Sequence, residues 1–275
     1  MTGSAFRLLV FLFCSAFGLS QMNGESSDKL FYDAVRAEAS GDLEKAIEIY
    51  SNISQETHSA NLHANLANLF FKMRDYARSI LHFRKAIWIE PGNRDYRANL
   101  SLALEMSGIH PQDLPETDPA FSPRNQTFWL IGLSIFVWSG LLLFAYFFPL
   151  RMGKATRLWA AGIWITGTFF LCRGFVLSHT ESTCLNREVI ALHPSAQPDK
   201  FTDGISLRVF AGDGSAANTH VPAGSSLFLD LDAKGFPRIH QSQSGEKWFL
   251  ARSYSGSNKG WIKRDEFDPV LDLGF

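Results

Sequence analysis

Two apolar runs constrain this chain more than any other feature. Residues 128–148, FWLIGLSIFVWSGLLLFAYFF, contain no charged side chain, and residues 158–177, LWAAGIWITGTFFLCRGFVL, contain only Arg173. Crossing the hydrocarbon core of a bilayer as a helix takes about 20 mostly apolar residues. Both runs meet that length, so 127–149 and 158–177 read as transmembrane helices. A buried hairpin of a soluble protein is the competing reading, and the near absence of charge disfavours it. Arg173, close to the end of its run, can extend its guanidinium toward the membrane surface.

The segment joining the runs, residues 150–157, contains Arg151, Lys154 and Arg157 and no acid. Short loops rich in Lys and Arg stay in the cytoplasm, so both flanking regions belong on the other side. The amino terminus agrees. Arg7 is followed by LLVFLFCSAFG, an apolar stretch too short to span and typical of a secretory signal. Small residues Gly18 and Ser20 place cleavage before Gln21, making 1–20 a signal peptide. Trp129 and Trp159 fall near the expected interfaces. Gly162 and Thr166 form a small-xxx-small pair suited to close packing of the two spans.

Before the spans the chain repeats itself. Superposing GDLEKAIEIYSNI (41–53) on RDYARSILHFRKA (74–86) aligns Asp42 with Asp75, Ala46 with Ser79, Ile47 with Ile80 and Tyr50 with Phe83. The offset is close to the ~34-residue period of helix–turn–helix solenoids. Leu66, Ala67 and Phe70 fall on the first helix of the second unit. Ser79, Phe83 and Ala86 fall on its second helix, and Pro91 closes it. Small residues at the helix contact, aromatics where bulk is needed and a terminal proline resemble the tetratricopeptide repeat. The earlier unit, 28–59, has Ala34, Ala46 and Tyr50 but no closing proline. RDYRANLSLALEM, from Arg94, supplies a capping helix with Leu100 and Leu104. The repeat domain is thus expected over 28–108.

Pro111, Pro115, Pro119 and Pro123 recur every fourth residue in 109–126. Such spacing defeats an α-helix and favours polyproline-like extension, a semi-rigid strap. Beyond the spans, 184–275 breaks into short β-rich runs separated by Gly, Pro, Ser and Asp, which suits a small barrel. HVPAGSSLFLDL, with Pro222 and Gly224, resembles the Pro-x-Gly turn of bacterial SH3-like domains. KWFLARSYSGSNKGWIKRDEF, with Trp248, Gly260, Trp261 and Ile262, resembles their closing hairpin. That resemblance implies Ile262 inside and Trp261 partly exposed as a contact residue. Strand alternation separately forbids Trp248 and Phe249 from sharing the core. The expected fold is therefore multidomain α + β: a helical-repeat solenoid, a transmembrane hairpin and a small β-barrel.

Catalytic patterns are weak. Gly212-Asp-Gly214 echoes a dinucleotide loop without its strand–loop–helix setting. His179, Glu181 and Cys184 have ligand-like spacing but no second cluster to complete a metal site. Basic and acidic residues number 26 and 27, and no basic stripe with interleaved aromatics suggests nucleic acid. No cofactor is expected. Asn61, Asn65, Asn68 and Lys72 instead form a helical stripe, about 100° round from the apolar stripe Leu62, Leu66, Leu69 and Met73. Asparagine is a poor helix former, so three in register call for a reason. Side-chain amides can clamp a peptide backbone by donating and accepting together. Ordinary solvated polarity is the competing account. In tetratricopeptide folds this stripe lines the concave groove, with Asn99 of the cap matching Asn65 and Phe71 adding an apolar contact.

The order of signal, repeats, strap, two-span hairpin and SH3-like barrel is similar to the repeat-containing member of the aerotolerance (Bat) operon family. The resemblance implies a non-enzymatic scaffold at a bacterial inner membrane, with both modules on the periplasmic side. It further implies work alongside von Willebrand A-domain membrane proteins and a MoxR-type ATPase. An accessory protein binding peptidoglycan through the barrel is the alternative.

Overall fold

The computed structural model describes residues 28–115, 125–147, 153–193, 204–242, 245–254, 256 and 258–271. The expected signal peptide, Pro119 and Pro123 of the strap, and Arg151 lie outside the described residues.

Five helices precede the apolar runs: α1 (28–39), α2 (Leu43–Glu56), α3 (Ala60–Lys72), α4 (Tyr76–Ile89) and α5 (Arg94–Ser107). Connections of three or four residues leave each helix to pack mainly on its neighbours. The internal repeat has a physical counterpart. Asp42 and Asp75 both cap a helix, accepting from the backbone N–H of Lys45 at 3.2 Å and of Arg78 at 3.1 Å, satisfying donors that the helix start leaves open. The matched pairs Ala34/Ala67, Ala46/Ser79 and Tyr50/Phe83 are all at most 1 % exposed. The turn before each cap needs a left-handed residue. Gly41 adopts it at φ 84°, while its counterpart Arg74 is forced into it at φ 63°.

The strap begins differently from expectation. Pro111–Asp113 form a 3₁₀ turn, and Ile109 and Leu114 are buried with the α3–α5 core. Extension is overridden here because two apolar side chains gain burial that a solvated strap cannot give them.

Two apolar helices follow, α6 (Gln126–Phe147) and α7 (Lys154–Leu185). Both contain stretches long and apolar enough to cross a membrane, Gln126–Phe144 and Leu158–Thr180. They pack through aromatics set on glycines. A Cβ on Gly174 would lie 2.5 Å from the Trp129 ring, and one on Gly167 2.5 Å from Phe136; Trp164 covers Gly140 in the same way. Gly162 faces open space, so the expected Gly162/Thr166 contact is not the one used. The bulk of the aromatics selects Gly167 and Gly174 instead. α7 also outruns its expected end at 177. Thr180 and Thr183 return their hydroxyls to the carbonyls of Val176 and His179 at 2.8 and 2.9 Å, so this polar stretch stays helical.

After two residues the chain enters an eight-stranded antiparallel sheet: β1 (Glu188–Ala191), β2 (Ile205–Arg208), β3 (Ala217–Val221), β4 (Ser226–Leu229), β5 (Ile239–Gln241), β6 (Lys247–Ser253), β7 (Lys259–Lys263) and β8 (Phe267–Pro269). Their order is β3-β2-β7-β6-β4-β1-β8, with β5 added beside β6. β3 and the three-residue β8 lack the apolar alternation that marks strands in sequence. Val189, Leu207, Leu227, Phe249, Ala251, Ile262 and Phe267 fill the sheet's core. Trp248 and Phe249 are both fully buried yet face opposite sides. Trp248 lies outside that core, covered by Arg208 and Lys263 at 5.2 and 5.3 Å from its ring.

Candidate functional site

The helices and the sheet share one core, which the sequence did not suggest. All four residues of β1 are buried. Val189 and Ala191 point into the sheet, while Ile190, with Leu192 and Val270, joins the core of α3–α5. A strand covered on both faces reads as a continuous apolar run, and only Glu188 breaks it.

Glu188 is fully buried because α4 answers it. Arg84 is 5 % exposed and grips the carboxylate with both arms of its fork, Nε at 3.0 Å and Nη2 at 2.5 Å. Ser226 on β4 donates to the same carboxylate at 2.8 Å, and Arg84 donates from Nη1 to the Pro115 carbonyl at 3.0 Å. Four segments thus converge on one ion pair. Such a pair adds little net stability, because desolvating both charges offsets their attraction, but losing either partner is costly. Removing either side chain would leave an uncompensated buried charge where α4 meets β1. A second fixture lies one to two turns back along α4. Gly224, at φ 95°, meets the helix so closely that a Cβ would sit 2.9 Å from Ile80 and 3.0 Å from Ile109. The Pro-x-Gly turn is here a docking surface for a helix.

Two hollows flank the junction. One, of about 1080 Å³, lies between the α3–α4 turn and the loop before β4, with Phe70, Tyr76 and Arg78 facing His220 and Pro222. Arg78 stacks on Phe70 and pairs with Asp75 at 2.9 Å. The other, of about 520 Å³, lies between α5, Pro115 and Tyr254. Ser206 and His220 form a hydrogen-bonded pair at 3.1 Å on the open side of β2–β3. Among the described residues, no group of three His, Cys, Asp or Glu side chains converges as a metal site.

The asparagine stripe is put to a use not foreseen. Asn61 accepts from the Tyr96 hydroxyl at 2.6 Å, linking α3 to α5. Asn65 hydrogen-bonds Tyr50 of α2, partly offsetting the rise in that phenol's pKa caused by burial and by Glu38. Two of the three asparagines therefore hold neighbouring helices together. Lys72 pairs with Glu38 at 2.7 Å, an exposed contact of small energetic value, and Phe71 meets Tyr76 edge-on. Asn68 is exposed and Asn99 half-buried. Trp261 occupies a separate surface, half-exposed on β7, with His240 edge-on to its ring, while Ile262 beside it is fully buried.

His63 and His82 also meet across α3 and α4, their Nδ1 atoms 3.3 Å apart. Burial, then the neighbouring His63, Lys85 and Arg78, hold the His82 pKa well below the usual histidine value. Sequence reading missed Arg84 and Glu188, although one signal was present. Arg84 interrupts the apolar face Ile80-Arg84-Ile87, and Glu188 opens an apolar strand. Against known proteins, the chain matches no family model and no curated protein.

Proposed function

We propose that this chain is a non-enzymatic adaptor anchored in a bacterial inner membrane. Its helical units act as tetratricopeptide-type repeats and its sheet as an SH3-like barrel, both on the periplasmic side. The repeat reading is supported by the matched caps and buried pairs, the barrel reading by Gly260-Trp261-Ile262 with isoleucine inward. One observation carries the adaptor reading: the Arg84–Glu188 pair ties the helices to the first strand, two residues after the apolar helix α7. A repeat locked to a membrane helix through a buried ion pair holds its open face at fixed height and orientation. That arrangement suits presenting a docking surface to other membrane proteins. By resemblance to the Bat family, these include von Willebrand A-domain proteins and a MoxR-type ATPase.

The open face narrows to Asn68, Asn99 and the Glu38–Lys72 pair, because Asn61 and Asn65 are engaged internally. A photo-reactive residue at position 68 of the full chain, in native membranes, is expected to crosslink an envelope protein, and Asn99→Arg to abolish it. Sedimentation of the full chain with purified peptidoglycan, together with no such crosslink, would favour the wall-binding alternative and refute the adaptor.

A further inference from the structure

α7 turns one face to α6 and leaves the other bare. Gly167, Leu171 and Gly174 meet α6 at Phe136, Gly132 and Trp129. At ~100° per residue these positions fall within one arc. Gly162, Thr166, Phe169 and Arg173 fall about 150° round from it, at i, i+4, i+7 and i+11. All four are exposed, and nothing lies within 4 Å of a Cβ placed on Gly162.

Arg173 gives this face its meaning. It lies within Leu158–Thr180, seven residues before the end of that stretch, or ~10 Å along the helix axis. Among the described residues, no carboxylate or carbonyl is bound to its guanidinium. The Arg173 side chain can extend toward the membrane surface, but ionisable groups within a span normally face and pair with a neighbouring helix rather than lipid. We propose that the outer face of α7 docks a membrane-spanning helix of a different protein, one with an Asp or Glu at the depth of Arg173. The proposal rests on the membrane reading above.

Charge excludes a second copy as the occupant. Copies inserted in the same orientation would bring Arg173 against Arg173 at one depth, where like charges repel strongly in a medium of low dielectric. A lipid phosphate could satisfy the guanidinium alone. It would leave Gly162 and Thr166, two to three turns deeper on the same line, without a partner. Their small side chains allow close backbone approach by a helix.

The test reconstitutes the full chain in phosphatidylcholine vesicles with a synthetic Leu-Ala transmembrane peptide. The peptide carries one Asp about 10 Å from its interface, or Leu at the same place, and association is read by energy transfer. The Asp peptide is expected to associate about tenfold more tightly, as an intramembrane polar contact provides. Arg173→Leu should remove that preference, Arg173→Lys should retain most of it, and Gly162→Leu should weaken both peptides. Equal association of the two peptides, or an Asp preference surviving Arg173→Leu, overturns the proposal. Self-association of the full chain abolished by Gly162→Leu overturns it in favour of a second copy. Release of the full chain from native membranes by carbonate overturns the membrane reading and the proposal with it; retention without the Asp preference overturns the proposal alone.

Discussion

Replacing Glu188 by alanine should uncouple the helices from the sheet. The carboxylate is fully buried and accepts from Arg84 twice and from Ser226 once. Without it, a guanidinium 5 % exposed keeps only the Pro115 carbonyl. Two charges about 4 Å apart attract by about 4 kcal/mol at an effective dielectric of ~20, and stranding one buried partner typically costs about 3–5 kcal/mol. Arg84→Ala should cost a similar amount, although it touches α4 and leaves the strand intact. The double replacement Arg84→Leu with Glu188→Leu removes both desolvation penalties and should be near neutral, or stabilising by about 1–4 kcal/mol. Urea titration of the full chain in detergent micelles reads these energies, and energy transfer between labels on α2 and β5 reads the docking. A Glu188→Ala cost below about 1 kcal/mol, or a double variant as destabilised as either single one, would refute the argument that desolvated charge specifies this junction.

Arg74→Gly should raise stability by about 0.5–1 kcal/mol, since Arg74 sits at a left-handed φ that glycine adopts freely. Gly41→Ala, with open space around it, should lower stability by about 1 kcal/mol through backbone strain alone; denaturant midpoints with equal slopes would check both. The His82 pKa is depressed in the fold, so between the folded value and about 6.5 the unfolded chain binds more protons. Stability should therefore be full above about pH 6.5 and fall as pH drops below it, and His82→Gln should flatten that slope in melts from pH 7.5 to 5. Ile262→Ala should cost about 2–5 kcal/mol and Trp261→Ala much less, by thermal unfolding of the full chain; the reverse ranking would mean the register of β7 is misassigned.

The helical architecture was legible because its causes are local. Small residues at helix contacts and the apolar periodicity of each helix act within one or two turns, and the aligned Asp42 and Asp75 of the repeat prove to cap equivalent helices. The apolar helices α6 and α7 were legible for the same reason, since hydropathy is summed over consecutive residues. Alternation in β6 required Trp248 and Phe249 to face opposite sides, and the structure puts Phe249 in the sheet's core, whereas the inward Ile262 was expected only from the resemblance of the closing hairpin. Tertiary structure alone decided what these elements do to one another. Glu188 and Arg84 are 104 residues apart, and neither is surrounded by a pattern that names its partner. Gly162 and Thr166 have the composition of a helix contact, yet the aromatics of α6 chose Gly167 and Gly174, because packing depends on which bulk arrives opposite. Asn61 and Asn65 looked like ligand contacts and became helix ties, since a tyrosine hydroxyl from another helix reached them first. Local chemistry writes the elements into the sequence, whereas desolvation and steric fit, which pair them, exist only once the chain has closed on itself.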